Sequence, residues 1–358
     1  MVAGYLIVFA ATAYALAALL CRARVWRGGA PSAMRPVSVL KPLCGMEPRL
    51  LDNLATLCDQ AWPACQIVFG VRDRDDPAAD IVRELMRRYP AHDIALVADA
   101  RIHGANHKVS NLLNMAAHAR HPWLVIADSD IAVPRDYLEK LCAPLADPRT
   151  GVVTCLYRGR ALGGFWSRLG AQFIDSWFMP SVRVASACGS SDFGFGASLA
   201  LRAETLAAIG GFHALRNRLA DDYWLARLTR GRGLRTVLAD VEVCTDVTEA
   251  SLAALWRHER RWMQTIRAIN PLGYAFSFIT FTVPMLAIGL ALAPGAANVA
   301  VALAGAAARL APNLRQALYA PLRDCLLLLV WASAFTGAAA RWRQQSVPVN
   351  DAPQGRSP

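Results

Sequence analysis

The 358-residue sequence has little charge for its length. Charged residues make up 18% and hydrophobic ones 55%, against about 25% and roughly 45–50% in ordinary globular chains. Scarce charge with abundant apolar surface excludes an intrinsically disordered chain, which needs the reverse. No CxxC pair occurs among the nine cysteines, and none joins histidines at zinc-binding spacing. This argues against a disulfide framework or structural zinc and favours a reducing, cytoplasm-facing body. Internal repeats, low-complexity tracts and RNA- or DNA-binding motifs are absent too. The longest local absence is at the start: no charge lies between Val2 and Leu20, and no acid precedes Glu47.

That uncharged opening is long enough to cross a hydrocarbon layer of about 30 Å. A cleaved signal peptide would want a basic leader and small residues before the cut, whereas Leu19-Leu20 precede Cys21. Residues 1–21 are therefore expected to be a retained transmembrane anchor. Arg22, Arg24, Arg27, Arg35 and Lys41 follow, a flank that the positive-inside rule places in the cytoplasm. The far end is also apolar, and residues 271–343 are expected to form a C-terminal transmembrane region. Gly273–Leu292 reads as a second span, Gly295–Ala311 as a weaker third carrying Arg309, and Cys325–Ala340 as a short fourth. Three or four spans, and the side of the C-terminus, stay open. Residues 344–358 read as a disordered tail.

Between the ends, short β-branched runs alternate with amphipathic helical patterns. Strands are expected at Val37–Leu40, Gln66–Val71, Ile94–Val97 and Trp123–Ala127. Helices are expected at 48–60, 77–89, 108–120 and 135–145. This alternation predicts an α/β body over 37–250, with a mostly parallel sheet covered by helices on both faces. Such sheets bind ligands beyond the carboxyl ends of their strands.

Acidic residues gather at those ends. Asp73, Asp75 and Asp76 follow the second strand; Asp76, before Pro77, reads as a helix cap, and Asp73 as a ligand group. Asp128-Ser129-Asp130 follows the fourth strand, where two carboxylates two residues apart can share one hard cation and through it a diphosphate. Asp221-Asp222 leads into a helical pattern, where one acid can cap and the other serve as a base. His258-Glu259-Arg260-Arg261-Trp262 lies within a basic, aromatic helix at 251–270, which taken alone reads as an interfacial anchor. The aromatic stretch from Phe165 to Phe195 fits an acceptor mouth or ordinary core equally well.

In this order, Asp73, Asp128-Ser129-Asp130, Asp222 and Arg261-Trp262 resemble the D, DxD, D, (Q/R)xxRW signature of membrane glycosyltransferases with a GT-A fold. Val37-Ser38-Val39-Leu40-Lys41-Pro42-Leu43, Arg74-Asp75-Asp76-Pro77-Ala78 and Lys108-Val109-Ser110-Asn111-Leu112 resemble the ceramide glucosyltransferase family. The stretch from His258 to Tyr274 is similar to its bacterial branch that glycosylates hopanoids in bacteriohopanetetrol glucosamine biosynthesis. The resemblance implies a GT-A-type sheet domain between N- and C-terminal transmembrane helices. It implies Lys41 and Asp73 at the uridine, Lys108 near the nucleotide, and Asp128 and Asp130 on the ribose–diphosphate with Mg2+ or Mn2+. Gly210-Gly211-Phe212 matches the turn preceding the base, Asp222 is the implied catalytic base, and Arg261 and Trp262 fall at the diphosphate and acceptor. His258 departs from the family, whose ceramide enzymes carry Arg there and whose polysaccharide synthases carry Gln; its substrate-binding role is open.

The implied activity is inverting transfer of N-acetylglucosamine or glucose from a UDP-sugar to a membrane-lipid hydroxyl, most closely a hopanoid, with ceramide the alternative acceptor. A processive polysaccharide synthase would need more spans. A non-enzymatic basic protein at the membrane surface would account for the net charge of +11 but not for acids at successive strand ends. That charge is better matched to anionic inner-leaflet lipids than to nucleic acid. The implied location is the bacterial inner membrane, with the catalytic domain facing the cytoplasm.

Overall fold

The computed structural model describes residues 1–28, 34–312 and 317–336, with the backbone of two short strands at 339–342 and 345–348. The chain divides into two compact units. One comprises Arg24–Arg160 and Gly189–Asp246; the other comprises Met1–Ala23, Ala161–Cys188 and Val247–Pro358.

The first unit is built on an eight-stranded sheet. Its strands are β1 (Val37–Pro42), β2 (Cys65–Val71), β3 (Asp93–Ala98), β4 (Trp123–Ala127), β5 (Ile131–Ala132), β6 (Thr150–Ala161), β7 (Ser198–Arg202) and β8 (Arg235–Val247). Their order is β3-β2-β1-β4-β7-β6-β8-β5. The expected strand–helix rhythm holds through β4, and β1 pairs in parallel with β2 and β4, as does β2 with β3. The sheet as a whole is mixed, which corrects the expectation of a mostly parallel one. Antiparallel ladders join β4 to β7, β7 to β6 and β8 to β5. The parallel strands are apolar almost throughout, whereas β8 alternates buried and wetter positions along much of its length, as antiparallel strands with one solvated face do.

Helices His107–Ala116 and Asp221–Arg230 cover the sheet through Val109, Leu112, Met115, Leu225 and Ala226, which pack with Leu40, Val68, Ile126 and Leu199. Local chemistry sets where helices start. Asp76 caps Pro77–Arg88 by accepting the Ala78 amide at 2.9 Å, as expected, and Asn106 caps His107–Ala116 by accepting that of Val109 at 3.1 Å. Gly210 and Gly211 take φ of 92° and 66°, the left-handed region that glycine enters without strain, and turn the chain into buried Phe212.

In the second unit the helix Val2–Leu20 packs against Thr282–Leu292 and Ala296–Leu310 through Val8, Ala11, Met285, Leu286 and Ala302. Small residues permit the approach: a Cβ on Gly4 would fall 2.6 Å from the Gly289 carbonyl oxygen. Val2–Leu20 is the one described helix long and apolar enough to cross a membrane by itself. The expected second span is broken, with Pro271–Thr280 and Thr282–Leu292 meeting at 74°. Pro284 sits in the first turn of the second piece, where its missing N–H costs no helical bond, so the helix restarts rather than continues. Helices Ala296–Leu310 and Ala320–Ser333 have 15 and 14 residues, short of the roughly 20 a straight span needs.

Two short strands, β9 (Ala339–Trp342) and β10 (Gln345–Pro348), pair antiparallel inside the segment expected to end the last span and begin the tail. A hairpin needs only local pairing, which the Gln- and Pro-bearing composition did not announce. The rest of that tail lies outside the described residues.

Candidate active site

The site of the sheet unit forms where β1 and β4 end. Fully buried β4 delivers Asp128 and Asp130 past its last residue, with the Asp128 amide donating to the Ala197 carbonyl at 3.3 Å. Lys108, in the first turn of its helix, places Nζ 2.6 Å from Oδ1 of Asp128 and 3.7 Å from Oδ2 of Asp221. Asp222 is the second residue of the helix Asp221–Arg230, and both its oxygens accept backbone amides, Oδ2 that of Gly196 at 2.7 Å and Oδ1 that of Tyr223 at 2.8 Å. Gly196 marks the convergence. A Cβ there would lie 3.2 Å from Oδ2 of Asp222, 3.3 Å from Oδ2 of Asp128 and 3.4 Å from Nζ of Lys108. Asn106 ties the pieces together, its Nδ2 donating to the Arg218 carbonyl at 2.8 Å and to Asp221 at 3.1 Å.

The electrostatics reflect crowding of like charge in a desolvated space. Asp222 is pushed up to about 7 by burial and then by Asp221, with Lys108 pulling the other way. Asp130 is likewise raised to about 7 by burial and then by Asp128 and Glu47. Burial also works against the Lys108 ammonium, but Asp128 and Asp221 outweigh it and hold the group above its ordinary range. Lys41, on β1, is fully buried, and its Nζ has no hydrogen-bond partner among the described residues. Burial lowers it to about 8 against the attraction of Asp130, Asp128 and Glu47. An unpaired buried ammonium beside carboxylates is costly unless a ligand completes its shell.

Lys41, Lys108, Asp128, Asp130 and Asp222 thus belong to one cluster. Asp73 does not join it. It is exposed in the turn after β2, its Oδ1 accepting the Asp75 amide at 3.1 Å, with no hydrogen bond or ion pair to the cluster among the described residues.

His258, Arg261 and Trp262 lie in the other unit, on the helix Leu252–Ile269, which Ser251 caps by accepting the Ala254 amide at 3.2 Å. One turn apart, the rings of His258 and Trp262 meet edge to face at 5.5 Å, and Trp262 makes further edge-to-face contacts with Phe173 at 5.3 Å and Phe178 at 5.9 Å. Nδ1 of His258 is hydrogen-bonded to Glu249. Burial opposes the Glu249 charge, but that bond and the charge of His258 prevail and hold it below its ordinary range. Glu259, in the middle of the motif, forms a buried bidentate pair with Arg323 at 2.7 and 2.5 Å.

Two contributors carry no sequence signal: Glu47 accepts the Ser129 hydroxyl at 2.7 Å, and Thr245 donates to Oδ2 of Asp130 at 3.0 Å, both isolated polar residues with no pattern to mark them. Gly196, in the glycine run (Gly189, Gly194, Gly196) expected with the aromatic stretch at the acceptor mouth, instead provides the space where the carboxylates meet.

Asp128 and Asp130 supply oxygen donors, the class that hard divalent cations prefer. Among the described residues no group of three or more His, Cys, Asp or Glu side chains is assembled to hold a metal. The residues therefore fit a cation shared with a diphosphate, which would complete its shell from donor and water, rather than a fully caged structural ion.

A mixed α/β sheet with this cluster at its strand ends is a GT-A-like glycosyltransferase fold. It is shared with a mannosyltransferase from Pyrobaculum calidifontis solved with GDP-Man and Mn2+, at a TM-score of 0.60 and 22% identity over 93% of this chain and 99% of that one. The sequence pattern of glycosyl transferase family 21 matches residues 3–354, and the chain belongs to that family. Similar proteins include ceramide glucosyltransferase 3 of Caenorhabditis elegans, 24% identical over 244 residues (67% of this chain, 52% of that one). Ceramide glucosyltransferase 1 of the same organism is 22% identical over 240 residues, 66% of this chain and 50% of that one. The match spans about half the length of these relatives.

Proposed function

We propose that this chain transfers a hexose from a UDP-sugar to a hydroxyl of a membrane lipid with inversion at the anomeric carbon. The observation that carries this reading is the convergence of Asp222, Asp128 and Lys108 around Gly196. Asp222 takes the proton from the acceptor hydroxyl as its oxygen bonds to the anomeric carbon. The bond from that carbon to the diphosphate breaks on the opposite side, and UDP departs with the bonding electrons. An α-linked donor thus gives a β-linked product. Lys108 keeps positive charge beside Asp128, where the leaving diphosphate would gain negative charge, and the unpaired Lys41 gives the donor a second cation. A Mg2+ or Mn2+ ion held by Asp128 and Asp130 would supply further charge neutralisation.

Asp73 as a uridine ligand, and His258, Arg261 and Trp262 as substrate-binding groups, rest on the motif resemblance and are part of the same proposal. So are integral insertion in the bacterial inner membrane, a cytoplasm-facing sheet unit and contacts with anionic inner-leaflet lipids.

A hopanoid polyol is the first-choice acceptor, from the stretch His258–Tyr274. Ceramide is the second, favoured by the names of the similar proteins. The deciding experiment incubates the full chain in lipid nanodiscs with UDP-glucose or UDP-N-acetylglucosamine, offering bacteriohopanetetrol or ceramide in turn. A β-linked glycosyl hopanoid is expected. Transfer to ceramide alone would replace the first acceptor by the second, and transfer to neither would remove the lipid reading.

A further inference from the structure

Asp130 is gripped by a single strand. Thr245 of β8 donates its hydroxyl to Oδ2 of Asp130 at 3.0 Å, and the amide of Asp246 donates to the Asp130 carbonyl at 3.0 Å. The antiparallel pairing of Ile131 with Thr245 supplies the register that allows both. Behind this contact, the Asp246 carboxylate accepts Nδ2 of Asn53 at 2.8 Å and Nε of Arg160 at 2.6 Å, while Nη2 of Arg160 donates to Oδ1 of Asn53 at 2.7 Å. The triangle is closed, and the Asp246 side chain within it is only 4% exposed.

We infer that Thr245 is a positioning residue for the metal–diphosphate site, a role that rests on the function proposed above. The terminal torsion of an aspartate is broad and soft, so a carboxylate without an anchor samples many orientations. The Thr245 hydroxyl occupies Oδ2 and leaves Oδ1, which has no hydrogen bond among the described residues, to meet the cation. The Asn53–Arg160–Asp246 triangle fixes the strand from which that hydroxyl reaches. Outer groups of this kind hold the ligand rotamer before the metal arrives, and losing one commonly weakens metal binding by about 10–100-fold.

The competing account is that Thr245 is only a β-branched strand residue. Thr245→Val separates the two, since it keeps the shape and removes the hydroxyl; Thr245→Ser restores the hydroxyl and loses the methyl. The measurement is Mn2+ binding to the full chain in nanodiscs with UDP present, read as loss of the free Mn2+ resonance signal. The valine variant should bind Mn2+ about 10–100-fold more weakly and show a raised KM for the UDP-sugar, with an unchanged thermal midpoint; the serine variant should bind as the unaltered chain does. Equal affinity of the unaltered and valine proteins overturns the role. Should the valine protein not fold, Thr245→Ala set against Thr245→Ser repeats the comparison, and equal affinity there overturns it as well. An unaltered protein that takes up no Mn2+ with UDP defeats the metal reading itself, a separate failure that carries this inference down with it.

Discussion

Asp222 sits under opposing influences. Two backbone amides and the start of a helix favour its charged form, yet burial and the adjacent Asp221 win and raise it to about 7. A carboxyl there is poised to take a proton near neutral pH, which suits a general base. Asp222→Asn is expected to keep UDP binding, measured by calorimetry, while lowering kcat by on the order of 100-fold or more; turnover within a few-fold of the unaltered chain would remove Asp222 from the role. The same burial makes stability depend on pH. Folded Asp130 and Asp222 take up protons near 7, against an ordinary 3.8. Between those values the folded protein binds more protons than the unfolded one, so stability should fall as pH rises. His107, lowered by burial and by Arg72, opposes this with one partly hydrated ring, and Lys41 opposes it only above about 8. The metal-free protein should therefore melt at a lower temperature at pH 7.5 than at pH 5.5. Adding Mn2+ and UDP should narrow that gap by favouring the ionised carboxylates. A metal-free midpoint that rises over this interval would contradict the placement of these acids.

The elements differ in how openly the sequence declares them. β1 to β4 and their helices follow a rhythm of apolar runs and caps, legible because each unit is local: Asp76 precedes its helix and Ala127 precedes Asp128. The antiparallel half has no such rhythm. β7 reaches β4 after a long excursion, and β8 mixes Asp240, Glu242 and Thr245 among its apolar residues. That is also why Thr245 stayed hidden, since its partner Asp130 lies more than a hundred residues earlier. The helix Leu252–Ile269 was legible as basic and aromatic, but the fate of Glu259 was not. It pairs with Arg323, whose side chain is fully buried, and a pair so enclosed stabilises little by itself while its halves are costly alone. Arg323→Met is expected to destabilise the apolar unit by about 3–5 kcal/mol through the stranded Glu259. The double replacement Glu259→Leu with Arg323→Met should recover most of that loss. Denaturation of the three variants in detergent checks the cycle, and a double variant as unstable as the single one would show that the pair itself supplies the stability.

At the scale of the whole chain, the scarcity of charge separates into two compositions, one for each compact unit. The sheet unit gathers acids and lysines at its strand ends, whereas the apolar unit packs glycine against helix and keeps Arg309 paired with Asp324 at 2.6 Å. Arg22, Arg27 and Arg257 are exposed and make no ion pair among the described residues. Basic groups beside a membrane gain about 1 kcal/mol each from an anionic leaflet, an attraction that salt weakens as the screening length falls to about 3 Å at 1 M. If these arginines hold the enzyme at such a surface, activity in nanodiscs should be higher with anionic than with zwitterionic lipid, and the difference should shrink as salt is added. Replacing Arg22, Arg27 and Arg257 by glutamine should abolish the difference without changing turnover on a short soluble acceptor, because none of the three belongs to the carboxylate cluster. Equal activity of the unaltered chain in both lipids would leave its net charge of +11 without a membrane role. A triple variant that kept the full lipid response would move that role to other basic residues, first among them those of the helix Leu252–Ile269.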